Sequence, residues 1–313
     1  MGTARNGQPM DIAIMIEGQS GLTWARWQRV ASAVEDLGFA GLYRSDHFTN
    51  ASPPDLESLE LWTSLTWLAS QTRQLEFGPL VTPASFRHPA ITARTACAVD
   101  DLSGGRLTLG VGAGWQEREH TAFGFDLLDV RGRFARFTEA LEVMTRLIRS
   151  DTPVSFDGTF YRLRDAILLP RPARPGGPPI LIGGNGVQRT LPLAARYADE
   201  WNAVFVPATR FTELNARLDT LLERRGRRPN AVRRSLMTGV VFGLDAAEVE
   251  RNLRGRSPQA LRDRGVVIGT PDEVAAALDL LAKAGVQRVM LQWLSLEDLD
   301  GLEALADAVT PWL

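Results

Sequence analysis

The sequence is poor in cysteine and histidine, and this scarcity excludes several kinds of site. Cys97 is the single cysteine among 313 residues, so no disulfide can form within the chain, which suits a reducing compartment. Its apolar neighbours at helical spacing predict a small buried side chain rather than a nucleophile. The three histidines, His47, His88 and His120, lack the paired spacing of metal ligands, so we expect no metal site.

Long apolar runs and a strong net charge are also missing. No segment approaches the roughly 18 apolar residues that would suggest a membrane span, so we expect no contact with a membrane. The net charge of −2 provides no basic field for nucleic acid. The first residues are polar and contain no apolar signal-peptide core, so residues 1–10 are predicted to be a disordered leader of a cytoplasmic protein.

What the sequence does contain is a regular alternation of strand-like and helix-like segments over residues 11–313. Eight apolar segments, mostly followed by helical patterns, predict a single-domain α/β fold, the (β/α)8 TIM barrel. A doubly wound open sheet is the alternative, but it needs fewer strands or a linker between two domains. The predicted strands are residues 11–17, 39–44, 75–81, 106–112, 179–182, 200–206, 236–244 and 287–292.

Regularity lapses between the fourth and fifth predicted strands, where residues 116–178 form an insertion. Residues 116–150 have a helical pattern, and residues 154–169 predict a hairpin that turns at Asp157-Gly158. The proline-rich residues 170–179 cannot form a helix and are expected to be extended.

Unusual residues follow the second predicted strand, at the end where such barrels carry their active sites. Asp46 and His47 occur there as neighbours. An aspartate can fix the tautomer of a histidine, which can then donate a proton beside a redox ring. The alternative is that Asp46 caps a loop and His47 lies on the surface.

A glycine-rich turn follows the fifth predicted strand. Residues 183–186 read Gly-Gly-Asn-Gly and precede a helix predicted to begin at Val187. Free amides at a helix start bind phosphate, and Arg189 in the predicted first turn would add positive charge. A flexible connection is the alternative.

Five segments in this order resemble the luciferase-like monooxygenase superfamily, in particular its branch that uses the deazaflavin coenzyme F420. The strongest is DLSGGRLTLGVGAGW at residues 101–115. The others are YRSDHF at 43–48, FRHPA at 86–90, IGGNG with AARYADEWN within 182–202, and IGTPDEV at 268–274. The resemblance runs from the first strand to the last helix and implies a flavin-type cofactor at the barrel mouth.

The resemblance also implies roles for individual residues. Asp46 and His47 match a catalytic pair, with His47 near the redox face, and a cis peptide bond is expected at Pro79-Leu80. At Ala113 some deazaflavin dehydrogenases carry a hydroxyl residue, and the insertion is expected to cover the site. The candidates for cofactor binding are Pro79, Leu80, Thr82, Gly112, Ala113, Gly114, Glu119, His120, Gly183, Gly184, Asn185, Gly186 and Arg189.

Three functions are compatible with this resemblance. The leading hypothesis is hydride transfer between F420 and a small organic substrate. The alternative is an FMN-dependent monooxygenase that uses molecular oxygen and takes reduced flavin from a reductase partner. The third is a flavin-binding barrel without activity. The substrate stays open because loops set specificity on this fold, and the apolar helices allow a homodimer face.

Overall fold

The structure is a computed structural model that describes residues 10–313. The predicted disordered leader lies outside the described residues except at Met10. That residue is fully buried, so the packed part of the chain already includes residue 10.

Strands and helices alternate along most of the described residues. The strands are β1 (Asp11–Ile16), β2 (Gly41–Arg44), β3 (Glu76–Pro79), β4 (Thr82–Pro83), β5 (Leu109–Gly112), β6 (Val154–Asp157), β7 (Arg162–Ala166), β8 (Ile180–Gly183), β9 (Glu200–Val204), β10 (Arg233–Phe242), β11 (Val267–Gly269) and β12 (Arg288–Gln292). The helices are α1 (Trp24–Asp36), α2 (Leu61–Gln71), α3 (Pro89–Leu102), α4 (Glu117–Phe123), α5 (Val130–Arg149), α6 (Thr190–Tyr197), α7 (Ala208–Glu223), α8 (Ala246–Leu253), α9 (Pro258–Asp263), α10 (Pro271–Lys283) and α11 (Leu299–Val309).

Eight of the strands form a parallel barrel, and they correspond to the eight strands predicted from the sequence. Hydrogen-bonded neighbours follow the order β3-β2-β1-β12-β10-β9-β8-β5. The two ends of this order meet at Phe77, whose amide donates to Arg106 O at 3.1 Å and whose carbonyl accepts from Thr108 N at 2.8 Å. The prediction of a (β/α)8 TIM barrel is therefore confirmed.

Two short strands were not predicted. The two residues of β4 pair with β5, and the three residues of β11 pair with β10. Segments this short show no periodicity in the sequence, so only the pairing reveals them.

The insertion differs from its predicted form in one respect. The predicted helix over residues 116–150 is divided into α4 and α5, because Gly124 ends α4 in the left-handed region with φ 73°. The hairpin is confirmed, with β6 and β7 antiparallel. Within residues 10–313, no helix, including the 20-residue α5, is both long and apolar enough to cross a membrane.

Side chains alternate between two cores along the barrel strands, because successive strand residues point to opposite faces. In β1, Ile12 and Ile14 pack in the outer core, which is shared with the helices, whereas Ala13 and Met15 pack inside the barrel. The inner cluster also contains Tyr43, Leu80, Leu181, Met237 and Met290.

A buried group of charges fills the amino-terminal end of the barrel. Arg288 is 1% exposed, donates to Tyr43 Oη at 2.6 Å and to Glu200 Oε2 at 3.2 Å, and pairs with Glu76. Burial disfavours the Arg288 cation, but the surrounding negative groups outweigh it and raise its pKa. The interior is thus filled at this end, which leaves the carboxyl ends of the strands for a ligand.

Candidate active site

His47 and Glu119 meet at the carboxyl end of β2. The imidazole Nδ1 lies 2.8 Å from Glu119 Oε1, and the other carboxylate oxygen accepts from Phe48 N at 2.9 Å. The Glu119 side chain is fully buried, whereas that of His47 retains 14% exposure. Within the described residues Nε2 of His47 has no hydrogen-bond partner, so this nitrogen is available to a ligand.

The charge of Glu119 changes the acidity of His47. Burial disfavours the imidazolium, but the hydrogen bond and the negative charge of Glu119 outweigh this, so the pKa of His47 is raised. The ring also contacts Trp115 edge-on, with 5.7 Å between ring centroids. An imidazole held in this way can accept a proton and keep it as half of an ion pair.

The predicted contact between Asp46 and His47 is wrong. Asp46 Oδ2 instead accepts from Thr82 Oγ1 at 2.7 Å and from Arg87 Nη1 at 2.5 Å. Arg87 also donates to Glu60 Oε1 at 3.0 Å. Neighbouring residues at a strand end point in different directions, so adjacency in sequence did not produce a pair. Asp46 joins the ends of β2 and β4 rather than orienting the imidazole.

Glycines at the ends of β5 and β8 pack against Val81 and form with it one wall of the barrel mouth, the glycine wall. A Cβ atom on Gly112 would lie 2.7 Å from Val81 Cγ2, and one on Gly183 would lie 3.2 Å from Val81 Cγ1. The side chain of Val81 therefore occupies the space that side chains at both glycines would need. Gly112 is buried beneath Val81, so this wall presents the half-buried Val81 and Gly183 to a flat ligand.

The cis peptide bond lies one residue later than predicted. It joins Leu80 to Val81, not Pro79 to Leu80. Pro79 and Leu80 are buried, while Val81 is half-buried between the two glycines. Thr82 is buried through its contact with Asp46, so of this segment Val81 is the residue that borders the mouth.

The glycine-rich turn after β8 is held by Asn185. Its side-chain amide donates to Val204 O at 2.7 Å and its carbonyl oxygen accepts from Val204 N at 2.9 Å. This bidentate contact ties residues 183–186 to β9, with Gly184 at φ 123° and Gly186 exposed. The turn keeps its position although glycine is its main component.

Arg189 lies before the helix rather than in its first turn. Helix α6 begins at Thr190, not at Val187 as predicted. The guanidinium of Arg189 is 5.7 Å from the ring centre of Phe134 on α5, and the residue is exposed. A cation thus stands beside the glycine-rich turn.

The remaining predicted residues belong to the loop after β5 and to α4. Ala113 and Gly114 are half-buried, and Gly114 has φ 86°. His120 is buried, with Nε2 2.7 Å from Ser85 Oγ and Nδ1 2.7 Å from Gln116 O. Both of its ring nitrogens are occupied, so His120 supports the loop and is not placed to contact a ligand.

Sequence reasoning missed three residues. Arg87 lies inside the FRHPA segment, where nothing in the sequence pattern distinguishes its charge from that of a surface arginine. Val81 looked like an ordinary strand residue. Glu17 continues the inward alternation of β1, which the sequence could have revealed. Within residues 10–313, no cluster of three or more histidine, cysteine or acidic side chains is arranged to hold a metal ion.

Comparison with known proteins identifies the family. The model of the luciferase-like monooxygenase family matches residues 10–262. An F420-dependent glucose-6-phosphate dehydrogenase of Kineococcus radiotolerans is 26% identical over 303 residues, which cover 94% of this chain and 86% of that protein. An F420-dependent hydroxymycolic acid dehydrogenase of Mycobacterium tuberculosis is 34% identical over 177 residues, 55% of this chain and 47% of that protein.

Solved structures share the fold. An F420-dependent secondary alcohol dehydrogenase in complex with an F420-acetone adduct superposes with a TM-score of 0.86 at 19% identity, over 97% of this chain and 99% of that chain. A long-chain alkane monooxygenase superposes with a TM-score of 0.79 at 16% identity, over 96% and 91%. The chain therefore belongs to the luciferase-like monooxygenase family of oxidoreductases.

Proposed function

We propose that this chain is a dehydrogenase or reductase that transfers a hydride between F420 and a small organic substrate. The observation that carries the proposal is His47, with its Nδ1 on Glu119 and its Nε2 unoccupied, at a barrel mouth with a glycine wall. The relatives that cover most of this chain carry names of F420-dependent dehydrogenases, which supports the deazaflavin.

The residues present fit such a cofactor. A flat ring needs a surface without protruding side chains, and Gly183 with Val81, which packs over Gly112, provides one. A phosphate needs free amides and a nearby cation. Within the described residues the amides of Asn185 and Gly186 donate to no protein acceptor, and Arg189 is a cation close in sequence. When bound, a deazaflavin supplies a ring carbon that gives or accepts a hydride.

His47 would manage the proton that accompanies the hydride. In alcohol oxidation, Nε2 of His47 would accept the O–H proton, while a bound deazaflavin would supply the acceptor for the C–H hydrogen and its electron pair, which leaves a carbonyl product. Glu119 makes the imidazole a stronger base and pairs with the imidazolium. The reverse reaction returns the proton from the same nitrogen.

Cofactor titration followed by a turnover assay tests this proposal. The purified protein is titrated with F420 and with FMN by fluorescence quenching, and the loaded protein is then mixed with alcohols without oxygen. We expect F420 to bind and to be reduced, and His47→Asn to lower the rate about 100-fold or more while F420 affinity stays. Failure to bind F420, or full activity of the variant, would refute the proposal.

The second candidate is an FMN-dependent monooxygenase. Monooxygenases among the structural neighbours, such as the long-chain alkane enzyme, share the barrel over nearly the whole chain. Such an enzyme would bind FMN and not F420 in the same titration. It would also consume oxygen when a separate reductase supplies reduced FMN.

A further inference from the structure

Glu17 is a carboxylate at the barrel mouth that the proposed chemistry does not use. Along β1, Ala13 and Met15 point into the barrel, and Glu17 is the next residue in this alternation. On the neighbouring strand β12, Gln292 follows the inward residue Met290 in the same way. Glu17 and Gln292 thus lie directly above the apolar layer that fills the barrel interior.

Neutral side chains hold the carboxylate in place. Gln292 Nε2 donates to Glu17 Oε1 at 2.7 Å, and Gln19 Nε2 donates to Oε2 at 2.9 Å. Gln19 is itself fixed, because its Oε1 accepts from Ser45 Oγ at 2.8 Å. Each oxygen of Glu17 therefore has one amide donor and a further lone pair available.

In the described part of the chain no salt bridge neutralises this charge, and the Arg44 guanidinium acts on it only from beyond contact distance. Among residues 10–313, Glu17 forms no salt bridge, although it is only half exposed to solvent. Most acidic groups near the mouth are paired: Asp46 with Arg87, and Glu119 with His47. Partial burial of a carboxylate costs free energy, and two amide donors offset only part of this cost. A further hydrogen-bond donor would stabilise the carboxylate.

Glu17 also lies close to the proposed proton carrier. Ile16 pairs with Arg44 in the register of β1 and β2, so Glu17 leaves its strand beside the segment that leads to His47. The negative charge of Glu17 acts on the imidazole in the same direction as that of Glu119. A substrate in contact with His47 is thus within the electrostatic reach of both carboxylates.

From these contacts we propose that Glu17 binds the substrate by accepting a hydrogen bond from a hydroxyl or ammonium group beside the reacting carbon. The substrate class is then a polyol or an amino alcohol rather than a purely aliphatic alcohol. This inference rests on the proposed hydride transfer and adds the chemistry of its substrate. In this arrangement the cofactor would contact the glycine wall. The substrate would contact Glu17 and Gln292, at the ends of β1 and β12.

Three probes of equal size test the substrate class. 2-Butanol, 1,2-propanediol and 1-amino-2-propanol differ only in one group, which is methyl, hydroxyl or ammonium. This group is attached to the carbon next to the alcohol carbon. Reduction of F420 by each is measured with the loaded wild-type protein, with Glu17→Gln and with Glu223→Gln. Glu223 is exposed at the end of α7 and serves as the matched control.

We expect the wild type and Glu223→Gln to prefer at least one polar probe over 2-butanol by about tenfold or more in kcat/KM. Glu17→Gln should reduce this preference about tenfold, mainly through KM for the ammonium probe, since the charge is lost but the shape is kept. The two polar probes distinguish a hydroxyl from an ammonium ligand. Equal kcat/KM values for the three probes, an unchanged preference in Glu17→Gln, or no turnover of any probe by F420-loaded protein would overturn the inference.

A second measurement is independent of the substrate. The chain has three histidines, so their imidazole NMR signals can be assigned by single substitutions. The negative groups that act on His47 are Glu119 of α4, Glu17 after β1 and Asp46 after β2, the last paired with Arg87. Glu17→Gln should lower the pKa of His47, and Glu223→Gln should not. An unchanged pKa of His47 in Glu17→Gln would place Glu17 away from the site and overturn the inference. Failure of the wild type, Glu17→Gln and Glu223→Gln alike to bind F420 would instead refute the proposed function.

Discussion

Glu119 reaches His47 from a helix that lies 72 residues later in the chain, and their side chains meet at 2.8 Å. Helix α4 belongs to the insertion between β5 and β8, while His47 follows a barrel strand. The insertion thus supplies the partner of the proposed catalytic base. Its position must be correct for the base to have its raised pKa.

This ion pair should make stability depend on pH. The folded-state pKa of His47 is raised, so the pair stabilises the fold fully below the unfolded value of about 6.5 and less as the pH rises through the folded value. Glu119→Gln removes this effect. Urea unfolding should show a larger loss of stability in the variant below about pH 6.5, where His47 is protonated in both states, than at higher pH, where the imidazolium is lost. A difference that is constant with pH would contradict the assignment.

The same variant should slow catalysis. Without the carboxylate, His47 is a weaker base, and we expect kcat to fall about 10-fold to 100-fold. The pH optimum should move to lower pH, because the pKa of His47 is no longer raised by Glu119. F420 affinity measured by fluorescence should change little, because Glu119 is buried behind the imidazole. Glu117→Gln, a substitution at an exposed residue of the same helix, is the control.

The glycine wall predicts a steric effect on cofactor binding. Gly112→Ala places a methyl group 2.7 Å from Val81 Cγ2, so Val81 must move toward the mouth. We expect F420 affinity to fall about tenfold or more, as for a loss of roughly 1.4 kcal/mol of binding free energy. The double variant Gly112→Ala, Val81→Ala has room for the methyl group and should recover part of the affinity. No recovery would mean that Val81 is not the obstacle.

The pairing of Arg87 with Asp46 predicts a cost in stability. Arg87→Met leaves the buried Asp46 carboxylate with only Thr82 as a donor. Loss of one partner of a buried pair costs about 3 to 5 kcal/mol, and some exposure of Arg87 favours the lower end. Arg118→Met removes an exposed pair with Asp55 and should leave the urea midpoint nearly unchanged. Equal effects of the two substitutions would refute the structural role of Asp46.

The turn after β8 predicts a selective effect on the phosphate-bearing tail of the cofactor. Asn185→Ala removes both hydrogen bonds to Val204, so the amides of residues 183–186 lose their fixed positions. Affinity for F420 should fall about tenfold, whereas affinity for its deazaflavin chromophore without the tail should not. Calorimetric titration with both ligands measures the two values. Equal losses would mean that the turn contacts the ring instead.

The sequence by itself determined the fold and the general position of the site. Eight alternating segments required a barrel, because each strand could bury its apolar residues only between an inner cluster and a layer of helices. The glycines after β5 and β8 and the histidine after β2 then had to meet at one end, since parallel strands bring their carboxyl ends together. The alternation of side chains along β1 also predicts that Glu17 points toward the inside of the barrel.

Only the tertiary structure decided which side chains form pairs. Asp46 and His47 are adjacent, yet one turns to Arg87 and the other to Glu119, because neighbouring positions at a strand end face different elements. The role of Val81 depends on two glycines more than 30 positions and more than 100 positions away in the chain. Periodicity describes the direction of a side chain relative to its own element. Its partner depends on how distant elements pack, and that information is spread over the whole chain.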